Sequence, residues 1–280
     1  IQLLGLTATW IVVGLILFSL VLLIFFFLHE AKAENPIIPL SIFSNHDLNG
    51  DLILFATTWG ALIAVNTYLP MWAQALLGMS ALMGGMTLIP NSIVEIIASQ
   101  TVATIQEKIR TFTLVMIGIV TMMISSGGLF LANNQTPLWM LIVVGAFSGI
   151  GVGFIFVGLQ VKVQIDAGMK DMATATSTSY LIRILAQTVM AAVYGVIMNL
   201  ALASGINSHS NITMKMMNEL SDAKSAKLLP QYLLPEMRRI FHSGIHEIMA
   251  VSFILLIIAT VFNFYFNFRQ PNKKLNRSSK

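Results

Sequence analysis

The sequence predicts an all-α protein, a polytopic helix bundle that crosses the membrane several times. Its 280 residues are 56% apolar and only 10% charged, with a mean hydropathy of +0.80, whereas soluble domains carry about 25% charged residues. The stretches 1–28, 52–94 and 111–161 contain no charged residue. Each can hold at least one helix of about 20 apolar residues, the length that spans a bilayer. None shows the alternating polarity of barrel strands.

Turn residues divide the apolar stretches into seven predicted spans. Pro70, Gly78 and the pair Gly84–Gly85 interrupt the second stretch, and the segment 132–137 with its Asn and Pro residues interrupts the third. The predicted spans are 4–28, 51–73, 81–103, 112–132, 138–160, 175–200 and 246–268.

These spans suggest a linker helix with its connector (1–50), a six-helix domain (51–268) and a basic tail (269–280). The connector 201–245 within the six-helix domain is longer than the others. It fits either an amphipathic cap on the membrane surface or a solvated loop with one or two helical turns. Because Ile1 already lies inside an apolar run, we expect the chain to be a fragment of a longer protein, cut after an odd number of helices.

The distribution of Lys and Arg predicts which side of the membrane each connector faces. The short connectors 74–80 and 133–137 carry no Lys or Arg. The connectors of the opposite side together carry ten, and these are 29–50, 104–111, 161–174 and the tail 269–280. Because positive connectors stay inside, we expect a multi-pass protein of the plasma membrane with a cytoplasmic C-terminus.

Glu95 is a charged residue near the centre of a predicted span. Such a charge costs about 2.5–3.5 kcal/mol on insertion scales, so it usually faces a bundle interior or a water-filled cavity. One polar stripe follows its helix at every fourth residue: Thr87, Asn91, Glu95 and Ser99. The stripe indicates a site that binds a proton or exchanges it for a cation. The alternative is a structural ion pair between Glu95 and Arg183.

Arg183 is a second charge inside a predicted span. Tyr180, Gln187 and Tyr194 lie on roughly the same helix face. An Arg within about two turns of the interface can extend its head group to water. A structural role and a role in coupling therefore both stay open.

Gly145, Gly149 and Gly153 recur at every fourth residue of one span. Without Cβ atoms, two backbones can approach closely, which is how helices associate in lipid. The pattern predicts close helix packing, either inside the bundle or between two copies of the chain.

Several classes of function lack their signatures in this sequence. There is no cysteine, which excludes disulfides, thiol catalysis and cysteine metal sites. There is no Walker-type phosphate loop, so we do not expect this chain to hydrolyse ATP. His242 and His246 are four residues apart but have no clear third ligand, and we expect no metal site. We attribute the net charge of +4 to the topology, that is, to the Lys and Arg residues that keep connectors on one side of the membrane, and not to nucleic-acid binding.

Several short motifs follow one another along the chain. They are Pro36–Phe43 (PIIPLSIF), Tyr68–Gln74 (YLPMWAQ), Leu77–Ser80 with Gly84–Pro90, Gly149–Gly153 with Gln160, and Ala173–Arg183. In this order and spacing they resemble the fourteen-helix drug:proton antiporter branch of the major facilitator superfamily. The resemblance runs over nearly the whole chain.

The resemblance implies that the seven spans are helices eight to fourteen, the last six forming the C-terminal six-helix domain. Glu107, Lys108 and Arg110 then fall where the family's cytoplasmic loop motif recurs, with Arg110 in place of a glycine. The N-terminal half of the same transporter would be the missing partner of this chain.

The resulting hypothesis is a secondary transporter whose two halves alternate access to a central cavity. Proton entry would drive export of a small amphipathic or cationic compound across the lipid bilayer. We expect no cofactor, since the proton motive force supplies the energy, and no enzyme activity. Glu95 is the expected titrating or cation-sensing group, and Arg183 would order the helix interface. The cavity would be lined or supported by Asn91, Ser99, Gln187 and Tyr194.

Three alternatives stay open. The first is a transporter of a metabolite or a lipid-like molecule from the same superfamily. A polytopic membrane enzyme would need a cluster of His, Asp or Ser at one interface, which the sequence does not show. A non-transporting membrane scaffold would give no reason for the polar stripe around Glu95.

Overall fold

The computed structural model describes residues 43–207, 211–221, 223–226 and 228–268, and also Phe18, Val21, Leu22, Phe25, Leu28 and His29. Every regular element within these residues is helical, which confirms the all-α prediction. Most of the predicted span 4–28 and the whole tail 269–280 lie outside the described residues.

From residue 46 onward, the described residues form eight helices. They are α1 (His46–Ala75), α2 (Ala81–Met86), α3 (Ile89–Ile105), α4 (Thr111–Leu131), α5 (Leu138–Asn207), α6 (Met214–Leu220), α7 (Ala223–Ala226) and α8 (Leu234–Asn267). Five helical stretches are long and apolar enough to cross a membrane, namely α1, α2 together with α3, α4, α5 and α8.

The long helix α5 has 70 residues and contains a kink at Gly168. Gly168 adopts φ 74° and ψ 170°, a conformation that glycine reaches without the clash of a Cβ atom. The kink lets the first half (138–167) and the second half (169–207) fold back on each other. Side-chain hydrogen bonds join them, from Gln164 to Thr176 over 3.4 Å and from Ser179 to Gln160 over 3.3 Å. Each half is long enough for one crossing.

Two helices extend beyond their predicted ends. The sequence predicts spans that stop at 200 and restart at 246, whereas α5 continues to Asn207 and α8 begins at Leu234. The predicted connector 201–245 is therefore too long. Apolar run length measures how much of a helix lipid can cover, but these additional turns are stabilised by protein contacts. In one of these contacts, α5 and α8 approach so closely that a Cβ atom on Gly205 would collide with Ile240.

One end of the bundle, which we call the basic end, holds the described parts of the connectors that the sequence predicts to be basic. Asn45 donates a hydrogen bond from Nδ2 to the carbonyl oxygen of Asp166 over 2.9 Å. Arg110 donates from Nη2 to the carbonyl oxygen of Phe268 over 2.6 Å. The starts of α1 and α4, the end of the first half of α5 and the end of α8 thus lie at the same end, as alternating spans require.

The opposite end of the bundle is covered by the described residues of 211–233. Four apolar side chains of this segment are buried in one cluster with the helix ends: Ile212, Met217, Leu220 and Leu229. The side chain of His242 also reaches across, with its Nε2 atom 2.8 Å from the carbonyl oxygen of Ala132. The described part of this connector therefore packs on the helix ends of the bundle, with α6 and α7 as its short helices.

The three glycines at every fourth position lie at close contacts inside the bundle. A Cβ atom on Gly149 would collide with the carbonyl oxygen of Asn91 in α3. One on Gly153 would lie 2.8 Å from the carbonyl oxygen of Glu95, and one on Gly145 would lie 2.7 Å from a leucine of α1. The glycines therefore let α5 approach two neighbouring helices of its own chain closely.

We expect the substitution Gly149→Ala to destabilise the bundle, because the added methyl group must displace the backbone of α3. Overpacking of this kind typically costs about 1–3 kcal/mol. Thermal unfolding of the purified chain in detergent measures the loss.

Gly195→Ala is the matched control, because nothing lies within 4 Å of a Cβ atom at that exposed position of α5. Alanine there should be neutral or stabilising, since glycine inside a helix costs roughly 0.5–1 kcal/mol relative to alanine. Equal melting temperatures for the two variants would argue against the close approach of α3 and α5.

Candidate functional site

The polar stripe lies on α3 at its contact with the first half of α5, except for Thr87, which follows the end of α2. Asn91 is only 5% exposed, and Glu95 and Ser99 are half-buried. A Cβ atom on Gly153 would lie 2.8 Å from the carbonyl oxygen of Glu95 and 2.8 Å from the backbone nitrogen of Ser99. The other side of α3 carries exposed isoleucines, which are Ile89, Ile93, Ile96 and Ile97. The stripe therefore follows the side of α3 that packs on protein, and the apolar side is left for lipid or another chain.

Glu95 has no counter-charge among the described residues. The ion pairs found there do not include its carboxylate, and none joins it to Arg183. The pair considered as the structural alternative is thus not formed in this structure. Glu95 is a half-buried carboxylate inside a membrane-spanning helix, without an ion-pair partner in the described part of the chain.

Arg183 is enclosed by aromatic rings. Its guanidinium carbon lies 4.8 to 5.6 Å from four ring centroids, those of Phe55, Trp59, Phe156 and Tyr180. A cation over the face of a ring within about 6 Å is attracted by the ring's quadrupole, by roughly 0.5–2 kcal/mol. The side chain does not extend to water, since the residue is only 8% exposed.

Two hydrogen bonds complete the surroundings of Arg183. Its Nε atom donates to the carbonyl oxygen of Ser179 over 3.3 Å, and Nη2 donates to Oε1 of Gln160 over 3.4 Å. Within the described residues, no carboxylate lies within 4 Å of it. Aromatic faces and neutral acceptors, rather than an acid, therefore stabilise this buried charge, and they join both halves of α5 to α1.

Tyr194 also joins the second half of α5 to α1. It is fully buried, and its hydroxyl donates to the carbonyl oxygen of Gly60 over 3.0 Å. Its ring stands edge-on to Tyr68, with 6.5 Å between the centroids. Gln187 is half-buried, one turn beyond Arg183. Tyr194 thus supports helix packing and does not line an open space.

The predicted site residues fall into two groups in the structure. Asn91, Glu95 and Ser99 lie between α3 and the first half of α5, while Arg183 and Tyr194 contact α1. No hydrogen bond, ion pair or ring contact of the described residues joins Glu95 to the second group.

The loop residues chosen from the sequence lie between α3 and α4. Glu107 and Lys108 are exposed in the turn. Arg110 precedes the first residue of α4, and its bond to Phe268 places a cation at the C-terminal end of α8. A positive charge there is favourable, because the last carbonyl groups of a helix carry a partial negative charge. The arginine that replaces the expected glycine thus has a structural contact.

An ionic triad at the basic end was missed by the sequence analysis. The Nζ atom of Lys162 lies 2.9 Å from both carboxylate oxygens of Asp51 and 2.6 Å from Oδ2 of Asp166. The side chains of all three are buried, that of Asp51 completely. The sequence analysis used Lys162 only as a positive charge in a predicted connector, and Asp51 only as the first residue of a predicted span. The one available signal was the spacing of Lys162 and Asp166, which puts them on one helix face.

A model of the protein family described as Major Facilitator Superfamily matches residues 1–206. This chain belongs to that superfamily. The matched part contains α1 to α4 and α5 up to residue 206, with the polar stripe, the aromatic enclosure of Arg183 and the ionic triad.

Curated relatives extend the likeness. Multidrug resistance protein 3 of Bacillus subtilis (strain 168) is 26% identical over 265 residues, which cover 89% of this chain and 51% of that protein. Multidrug transporter protein MdtP of the same strain is 27% identical over 195 residues, or 68% of this chain and 35% of that protein. Riboflavin transporter RibZ of Clostridioides difficile (strain 630) is 24% identical over 135 residues, which cover 48% of this chain and 30% of that protein. The chain thus spans about half, or less, of the length of these relatives.

We expect Lys162→Met to destabilise this superfamily member strongly, because it leaves two buried carboxylates without their cation. Removing one partner of a buried ion pair typically costs about 3–5 kcal/mol. Unfolding in detergent at neutral pH measures the change.

Lys215→Met is the control for this variant. It breaks the pair of Lys215 with Glu219, in which the lysine side chain is 81% exposed, and exposed pairs contribute about 0–1 kcal/mol. A loss as small for Lys162→Met as for Lys215→Met would show that the triad does not hold α1 and α5 together.

Proposed function

We propose that this chain is the C-terminal half of a proton-coupled efflux transporter from the fourteen-helix branch of the superfamily. The whole protein exports drugs or other amphipathic compounds by alternating access, and the proton motive force drives it without a cofactor. In this proposal the bundle lies in the plasma membrane with its basic end in the cytoplasm. Its partners are the lipid bilayer, the N-terminal half and a small amphipathic or cationic substrate.

The observation that carries this proposal is the position of Glu95. Its carboxylate is half-buried in a membrane-spanning helix and has no ion-pair partner among the described residues. A buried charge without a partner is costly, and inside a membrane it marks ion and substrate pathways. Binding of a proton or of a cationic compound removes this cost. The two ligands then compete for one carboxylate, which is the simplest way to exchange one for the other.

The other predicted residues have supporting roles in this mechanism. Asn91 and Ser99 place polar groups one turn before and after Glu95 on the same side of α3. Arg183 and Tyr194 hold the second half of α5 against α1. These contacts let the bundle move as one rigid body relative to the N-terminal half, as alternating access requires.

The relatives support transport of several drugs and the assignment of this chain to one half of a transporter. Two are named for multidrug resistance or multidrug transport, and the chain matches 51% of the length of one of them. That share is what one half of a two-domain transporter would give.

A second candidate is transport of a metabolite. The likeness to Riboflavin transporter RibZ over 135 residues favours it. Competition assays in vesicles, with lipophilic cations and with neutral or anionic metabolites as competitors, separate the two candidates by the class of compound that inhibits transport.

We expect Glu95→Gln in the full-length transporter to abolish export of cationic compounds or to redirect it to neutral ones. The amide keeps the size of the side chain but can neither bind a proton nor neutralise a cation. Uptake of a lipophilic cationic dye into everted vesicles, measured over a series of pH values, tests this.

Glu247→Gln is the matched control, because it removes the same charge from an exposed position of α8. It should leave the dye transport and its pH profile as they are. If Glu95→Gln also leaves both unchanged, Glu95 is not the titrating group.

A further inference from the structure

The guanidinium of Arg183 has more hydrogen-bond donors than the structure gives it acceptors. An arginine side chain carries five N–H groups and no acceptor. Within the described residues, Arg183 makes two hydrogen bonds, to the carbonyl oxygen of Ser179 over 3.3 Å and to Oε1 of Gln160 over 3.4 Å. Both are longer than the usual range of about 2.7–3.2 Å. The remaining N–H groups of this residue, which is only 8% exposed, have no acceptor there.

The amide of Gln160 adds further donors at the same place. Its oxygen accepts from two donors, the hydroxyl of Ser179 at 3.3 Å and the guanidinium of Arg183 at 3.4 Å. The nitrogen Nε2 is bonded to the same amide carbon, is buried and has no hydrogen-bond partner among the described residues. Buried donors without a partner are uncommon in proteins, and here they belong to two side chains that contact each other.

No acid compensates the charge of Arg183 in the described part of the chain. Asp51 precedes Phe55 by one turn of α1, but its carboxylate is bound by Lys162. The four aromatic rings attract the positive charge, yet a ring is at best a weak hydrogen-bond acceptor. The surroundings of Arg183 thus combine a positive charge with unused donors. An anionic group that accepts several hydrogen bonds is the complement of such a site.

Of the four rings around Arg183, that of Tyr180 is the outermost. Tyr180 is 60% exposed, whereas the other three residues are buried or half-buried. Its ring centroid is also the most distant of the four from the guanidinium carbon, at 5.6 Å. A change of side-chain rotamer at Tyr180 opens this side of the guanidinium without moving a buried residue. The donors are therefore reached from the exposed side of α5.

We propose that Arg183 and Gln160 form a binding site for the carboxylate group of an amphipathic compound, separate from Glu95. The two carboxylate oxygens accept hydrogen bonds from the guanidinium, whose planar N–H groups match the geometry of a carboxylate. One of these oxygens also accepts from Nε2 of Gln160. An aromatic part of the compound packs against the exposed ring of Tyr180.

This site adds a substrate class to the proposed function, namely compounds that carry a carboxylate. The inference rests on the proposed function only for that consequence, because binding at Arg183 requires neither transport nor Glu95. In the whole transporter, a carboxylate on α3 and a carboxylate site on α5 let one protein take compounds of either charge.

Binding of 2-naphthoate to the purified chain, in a neutral detergent and without chloride, tests the inference by isothermal titration calorimetry. We expect saturable binding at a single site. The uncharged 2-naphthamide should bind at least about tenfold more weakly, because it loses the charged hydrogen bonds. Sodium acetate should displace the naphthoate, whereas sodium chloride at the same concentration should not, because a carboxylate pairs with the guanidinium through two oxygens.

Gln160→Glu is the variant that tests the position of the site. It places a carboxylate of the chain itself beside Arg183, where it occupies the donors. This variant should lose naphthoate binding, and its melting temperature should rise because the buried cation gains a counter-charge. Gln231→Glu is the matched control, since it makes the same change at an exposed position before α8. It should bind naphthoate as the wild type does.

Several outcomes would overturn the proposal. They are the absence of naphthoate binding, equal affinities for naphthoate and naphthamide, equal displacement by acetate and chloride, and wild-type affinity in a folded Gln160→Glu variant. If Gln160→Glu does not fold, Arg183→Lys decides, because lysine keeps the charge but lacks the paired N–H groups. Its affinity for naphthoate should fall at least about tenfold, and an unchanged affinity would contradict the site. None of these measurements involves transport, so a failure here is distinct from a failure of Glu95 in efflux.

Discussion

Hydrocarbon provides neither hydrogen bonds nor counter-charges, so the protein itself must stabilise each charge that its helices bury. The bundle meets this constraint in two ways and leaves a third charge without a counter-charge in the described residues. Lys162 shares its ammonium hydrogens between two aspartates. Arg183 is surrounded by four aromatic rings and two neutral acceptors. Glu95 has no counter-charge among the described residues, and this difference makes it the best candidate for a group whose partner arrives from outside.

The helix α5 is the element through which these sites are connected. It packs against α1, α3, α4 and α8, and its first half carries the glycines that admit α3 closely. The kink at Gly168 reverses the direction of the chain, so that both halves of α5 contact α1. The triad and the aromatic enclosure of Arg183 lie on this shared contact, since Asp51 and Phe55 are one turn apart on α1.

Much of the fold was predictable because lipid imposes a simple length rule. Apolar runs of membrane-spanning length, divided by Pro, Gly and Asn turns, gave the six spans after residue 50 in the right order. The ends were less accurate, because α5 and α8 continue past the apolar region on protein contacts such as that of Gly205 with Ile240. The glycine pattern indicated close packing, but it could not say that α3 and α1 were the partners.

The sequence by itself determined that this chain is a membrane helix bundle and that Glu95 lies on a polar helix face. These properties are local, since each depends on residues within one helix or connector. Only the tertiary structure decided that Arg183 sits among aromatic rings instead of pairing with Glu95, and that Lys162 lies between Asp51 and Asp166. Lys162 and Asp51, for example, are 111 positions apart in the chain, and no periodicity along one helix records which distant side chain the fold places opposite it.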